Sequence, residues 1–217
     1  TEPPRADSPA PPAGDGPRVR RLFGLALLIA STSAAADEAA DGVAGRIGKL
    51  SHSGFRNTAH CTAFAVPGAI VTAAHCLPGP AEDEVHVLLG YGRGAYDAHV
   101  SSRAADWRRP RLRDLAILCR PDRTAGLPFA ETPVAGRRLT VSGYGAPSVH
   151  LRRDIPCRVI KEPAVGLLHL DCPVPPGTSG APVLDGGAVA GAMIARSARY
   201  SVAELLTAGD IADTCGR

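Results

Sequence analysis

Aromatic residues are scarce, making up 4% of the 217 residues with a single tryptophan. Single-stranded nucleic acid is held by aromatic stacking along a cationic groove, and this chain has little of either. Its formal charge is only +3, and its basic runs are short, at Arg18–Arg21 and Arg108–Arg113, so nucleic acid is not expected as a partner. Long apolar runs are missing too. The run LFGLALLIA covers only residues 22–30, less than half of the ~20 residues that cross a bilayer. Metal-ligand spacing is also absent, for the sequence holds no Cys-x-x-Cys and no His-x-x-x-His. His60-Cys61 and His75-Cys76 offer atoms that suit zinc but not the usual spacing, and Glu82, Asp83 and Glu84 read as a solvated acidic turn. No metal and no cofactor is expected. The nucleophile elbow Gly-x-Ser-x-Gly does not occur either, because the nearest candidate has Ala181 in its last place.

What the chain does have is punctuation, with 24 glycines and 20 prolines, together with six cysteines. Six of the prolines fall within residues 1–17, a composition unable to bury a core, and this tract is expected to be disordered. Residues 18–36 then run through a basic stretch, an apolar stretch and the small-residue stretch STSAAA, the three regions of a secretory signal peptide. Cleavage is expected near Ala36, leaving a secreted or periplasmic chain with no membrane attachment. In an oxidising compartment six cysteines imply disulfides, although many pairings are open to them.

From residue 44 onward the pattern is one of short strands. CTAFAV and AIVTAAHC flank Pro67-Gly68 and read as a hairpin that sets Cys61 near Cys76. Closing that loop stabilises the fold by roughly 3 kcal/mol in the chain-entropy model. VHVLLGY, AHVSS and DLAILCR continue the strands, the last apolar enough to be buried on both faces. PDRTAGLP at 121–128 reads as a linker, after which ETPVAGRRLTVSGYG restarts the strand pattern. CRVIKE and GLLHLDC flank a turn at 163–165 and would bring Cys157 opposite Cys172. APVLD and AVAGAMIA are joined by Gly186-Gly187, a tight-hairpin signal. SVAELLTAGDIAD at 201–213 carries Val202, Leu205 and Leu206 at helical spacing and is expected to be a short terminal helix.

Chemistry concentrates in PPGTSGAP at 175–182, where Ser179 sits among small residues. A serine between glycines is also an ordinary turn, so the motif alone decides nothing. A hydroxyl becomes a useful nucleophile only with a base, a group that orients the base, and donors for the oxyanion. Three stretches offer these in the order His75 (VTAAHC), Asp114 (RDLAILC) and Ser179, with the amides of Gly177 and Ser179 as oxyanion donors. The other histidines, His169 among them, read as strand or loop residues.

With those three motifs in that order, residues 46–217 resemble the trypsin-like, chymotrypsin-fold serine peptidases in their bacterial secreted form, and the chain order is that of the chymotrypsin triad. VSGYG at 141–145 resembles the family's Ser-Gly-aromatic-Gly strand end. The resemblance implies an all-β fold of two packed antiparallel β-barrels with a short C-terminal helix. The first barrel would span 44–125 with His75 and Asp114, and the second 126–217 with Ser179. It also implies a monomeric endopeptidase acting on protein or peptide substrates. Cys119 and Cys215 remain as a third pair by elimination, pinning the terminal helix as in some relatives. The primary pocket would be walled by Pro173 and by Ile194, Ala195 and Arg196. Pro173 stands where trypsin-type cleavage needs an acid, so small apolar or acidic residues are expected at the cleaved position. Thr178 replaces the family's activation aspartate. Arg46-Ile47-Gly48 looks like an activation site, yet only 13 residues separate Ile47 from Cys61, which favours a first strand there. The second reading is a catalytically silent trypsin-like fold serving as a binding module.

Overall fold

The computed structural model describes residues 42–52, 60–79, 83–122, 125–161 and 164–216. The proline-rich tract and the expected signal peptide lie outside the described residues. Six strands form the first sheet: β1 (Ile47–His52), β2 (Cys61–Val66), β3 (Ala69–Ala73), β4 (Glu84–Leu89), β5 (Ala98–Arg103) and β6 (Leu115–Cys119). All pairings are antiparallel, in the order β5-β4-β1-β2-β3-β6. The sheet curls until the stretch after β5 meets β6, where Arg108 and Ile117 exchange backbone hydrogen bonds of 2.8 and 2.9 Å.

The second sheet repeats the plan with β7 (Arg138–Tyr144), β8 (Arg152–Arg158), β9 (Leu167–Leu170), β10 (Pro182–Asp185), β11 (Ala188–Arg196) and β12 (Ser201–Leu205). Its order is β8-β7-β10-β11-β12-β9, and a bridge between Val159 and Leu170 draws the two edges together. Curling hides the strand edges that an open sheet would leave exposed. Gly186 and Gly187, both at positive φ (57° and 94°), make the tight β10–β11 turn that their sequence signals.

Each sheet encloses its own apolar core, the first around Leu50, Val87 and Trp107 and the second around Val141, Leu168 and Met193. A third cluster, with Ile47, Phe64, Tyr144, Leu206 and Ile211, packs between the two sheets. The barrels are therefore joined by apolar contact rather than by the linker alone, and a site built at their junction inherits that rigidity.

Two expectations fail. Residues 201–213 are not one helix: Ser201–Leu205 is strand β12, and helix α1 runs over Ala208–Cys215. The empty slot between β11 and β9 offers SVAEL two hydrogen-bonding partners, which outweighs its helical spacing. Thr207 then caps α1, its hydroxyl accepting the Asp210 N–H at 3.2 Å while Asp210 Oδ2 accepts the Thr207 N–H at 2.7 Å. That Thr-x-x-Asp capping box sets the helix start. The expected strand through Ala-Ala-His-Cys also stops early, at Ala73, and Ala74–Cys76 is a single 3₁₀ turn.

Candidate active site

β3 pairs with β6 so that Ala73 lies opposite Leu115. That register sets Asp114, one residue before β6, beside the 3₁₀ turn that carries His75. Asp114 is tied to the turn three times: its carbonyl accepts the Ala74 N–H at 3.0 Å, its Oδ1 the His75 N–H at 3.0 Å, and its Oδ2 lies 2.6 Å from His75 Nδ1. With Nδ1–H donated to the carboxylate, the remaining lone pair is on Nε2, the tautomer that a general base needs. The His75 side chain is 45% exposed and that of Asp114 33%, so the pair is open to solvent.

Ser179 is held from the other barrel. Its loop leaves Cys172, turns tightly and enters β10. Ala181 N–H donates to the Thr178 carbonyl (2.9 Å) and Gly180 N–H to that of Met193 (2.7 Å). Thr62 of β2 fixes the loop from the first barrel, its N–H donating to the Ser179 carbonyl at 2.8 Å and its hydroxyl to that of Gly177 at 3.3 Å. Gly180, at φ +77°, leaves no room for a side chain: a Cβ there would lie 2.2 Å from both the Thr62 carbonyl oxygen and Thr72 Oγ1, and 2.9 Å from Ala73 N. The Ser179–Gly180 turn thus presses on the end of β3, two residues from His75. Among the described residues the amides of Gly177 and Ser179 donate to no acceptor, leaving two N–H groups on one small loop available to a developing oxyanion.

Thr178 is buried and its hydroxyl donates to the Pro175 carbonyl at 2.8 Å. Ile47, which would have to be freed by cleavage after Arg46, is fully buried in β1 and paired with Phe64. Burial pushes the Tyr144 phenol up from its ordinary pKa, keeping it a donor to the Tyr91 carbonyl at 2.6 Å. Behind this phenol, the Tyr144 N–H donates to Thr62 Oγ1 at 3.0 Å.

The residues assigned to the substrate wall come from two stretches held together by Ser201, which pairs with Arg196 and donates its hydroxyl to the Cys172 carbonyl at 2.5 Å. Pro173 is exposed, Ile194 packs partly against the first core, and Ala195 and Arg196 lie exposed at the end of β11. A cavity of about 680 Å³ lies elsewhere, lined by Leu112, Arg113, Leu167, Glu204 and Asp210 among others. Neither His75 nor Ser179 touches it, so concavity alone would misplace the chemistry.

Disulfides join Cys61 to Cys76, Cys157 to Cys172 and Cys119 to Cys215. The first accounts for the one trio among the described residues with metal-ligand geometry, Cys61, His75 and Cys76: its sulfurs are bonded to each other and supply no thiolate. Sequence reasoning missed Glu204, which is 6% exposed and accepts the Asp114 N–H through Oε1 at 2.6 Å. No local signal marks it, since its partner is a backbone N–H 90 residues earlier.

A protein-family model described as a trypsin-like peptidase domain matches residues 53–192. The chain belongs to that family, and its fold and domain are those of a serine endopeptidase. Among solved structures it is similar to the serine protease of a human pathogenic astrovirus, at 19% identity over 76% of this chain and 92% of that one, with a TM-score of 0.56. It is similar also to the thermostable serine protease AL20 of an extremophilic microorganism (17% identity, 81% and 97% covered, TM-score 0.61). The active form of the Rv3671c protease of M. tuberculosis aligns at 21% identity over 92% and 93%, with a TM-score of 0.57. No curated protein sequence matches.

Proposed function

We propose that this chain is an exported serine endopeptidase that hydrolyses peptide bonds through His75, Asp114 and Ser179. His75 Nε2 takes the Ser179 proton as Oγ attacks the scissile carbonyl, and the same proton passes to the departing amine. Asp114 holds the imidazole through Nδ1. The amides of Gly177 and Ser179 receive the oxyanion, and water, deprotonated by His75, cleaves the acyl-enzyme. The observation that carries this reading is the 2.6 Å contact between His75 Nδ1 and Asp114 Oδ2, beside a serine loop whose two amides have no acceptor of their own.

Export is supported by the order of basic, apolar and small residues at 18–36, and three disulfides are consistent with an extracellular or periplasmic site. The substrate is a protein or peptide, cut by a monomer, with small apolar or acidic residues preferred because Pro173 supplies no acid to hold Arg or Lys. The test is hydrolysis of a mixed peptide library by the purified chain and by Ser179→Ala. The wild type is expected to cleave, and the variant to be slower by about 10⁴-fold or more. Equal rates would overturn the mechanism, and a dominant Arg or Lys preference would overturn the assignment of the pocket wall. A silent binding fold predicts no cleavage by either.

A further inference from the structure

Glu204 stands on β12 on the face opposite Ala203, with its carboxylate buried and directed at the first barrel's Arg113 and Asp114. A buried carboxylate is costly unless its oxygens find donors, and here both do: Oε1 accepts the Asp114 N–H at 2.6 Å and Oε2 accepts Arg113 Nε at 2.8 Å. Arg113 continues to the Leu205 carbonyl and to Asp210 Oδ1 at the start of α1. One guanidinium thus neutralises Glu204 and ties it to the helix cap.

We propose that Glu204 is a positioning residue that sets the His75–Asp114 pair from the second barrel. The proposal rests on the catalytic reading of His75, Asp114 and Ser179. Asp114 has to meet two donors of His75 at once, the backbone N–H and Nδ1, which its side chain manages only if its Cα is fixed. Both backbone groups of Asp114 are used for this, one toward each barrel: the carbonyl accepts from Ala74 and the N–H donates to Glu204. Ser179 belongs to the barrel that carries Glu204. A hydrogen bond from that barrel to the Asp114 backbone therefore refers base and nucleophile to one frame, and a misplacement of about 1 Å between such groups costs up to about 10²-fold in rate.

Two variants test this. Glu204→Gln keeps an oxygen for the Asp114 N–H. The double variant Arg113→Met/Glu204→Met removes that acceptor together with the guanidinium that neutralises it, a replacement that buried ion pairs usually tolerate in stability, and it leaves Asp210 with its Thr207 cap and partial exposure to solvent. The double variant is expected to lose about 10- to 100-fold in kcat with KM within about threefold, while Glu204→Gln stays within about threefold in both. A readout independent of turnover is the downfield proton resonance of His75 Nδ1–H, followed in a Ser179→Ala background. It should persist with Glu204→Gln and be lost or broadened with the double variant, and this comparison decides the role of Glu204 even if the wild type fails to cleave. A folded double variant with the resonance intact would overturn the proposal, as would a Glu204→Gln variant impaired as severely as the double one.

Discussion

Gly180→Ala is the sharpest structural perturbation available at this site. At φ +77° an alanine is strained by about 1 kcal/mol relative to glycine. Its Cβ would also lie 2.2 Å from the Thr62 carbonyl oxygen and Thr72 Oγ1 and 2.9 Å from Ala73 N. Two of those three atoms are backbone, and Thr72 Oγ1 is engaged with the Thr62 carbonyl at 2.8 Å, so none can rotate aside. Relief requires moving the Ser179 turn away from β2 and β3, at an overpacking cost of about 1–3 kcal/mol. Together these lower stability by about 2–4 kcal/mol, or about 4–16 °C in Tm for a chain of this size. The 2.8 Å bond from Thr62 N–H to the Ser179 carbonyl would lengthen with that shift, so acylation should slow by up to about 10²-fold. Gly186→Ala is the control, since φ is +57° there and nothing lies within 4 Å. It carries the conformational strain without the collision. Thermal melts and the rate of active-site labelling, measured on both, separate the two effects. If Gly180→Ala is as stable and as reactive as Gly186→Ala, the junction between the serine loop and the first barrel is not what positions Ser179.

Three further outcomes are expected. Arg46→Gln should leave activity within about twofold, because Ile47 is buried in β1 and Thr178 is already bonded to Pro175; amino-terminal sequencing of active enzyme that finds only Ile47 would contradict this. Cys119→Ser with Cys215→Ser opens a link between residues 96 apart and should cost about 2–4 kcal/mol, seen as a lower Tm under non-reducing conditions; an unchanged Tm would refute it. Lys49 is buried, with Nζ 5.4 Å from the Tyr91 ring centroid, and burial lowers its pKa from 10.5. A lowered lysine binds its proton less well folded than unfolded, so it destabilises the fold at pH 7, and this cost fades as pH rises through the folded pKa toward 10.5. Lys49→Met should therefore melt higher than wild type at pH 7, with the gap narrowing by pH 10; a lower melt at pH 7 would contradict it.

The parts of the fold that read directly from sequence are those whose signals are local. The β10–β11 hairpin follows from Gly186-Gly187, β6 from the run LAILC, and the serine loop from its glycines at 177 and 180. What did not read was set by distant partners. SVAEL has helical spacing, yet the slot between β11 and β9 made it a strand. His75 seemed to end a strand, whereas Asp114 accepts two successive N–H groups there, those of Ala74 and His75, and holds a 3₁₀ turn instead. Glu204 went unnoticed because its meaning lies in a backbone N–H 90 residues earlier, and no spacing rule reaches that far. The two stretches of the substrate wall, around Pro173 and Arg196, meet through Ser201, which pairs with Arg196 and donates to the Cys172 carbonyl, a link that no local pattern in either stretch signals.

In the proposed mechanism Ser179 Oγ is a nucleophile activated by His75. Labelling the purified chain with a fluorophosphonate and mapping the adduct by mass spectrometry tests it most directly, with wild type and His75→Ala run side by side. A single stoichiometric adduct on Ser179 is expected in the wild type, with labelling slowed by about 10⁴-fold or more in the variant. An unlabelled Ser179, or equal labelling in the two proteins, would contradict it.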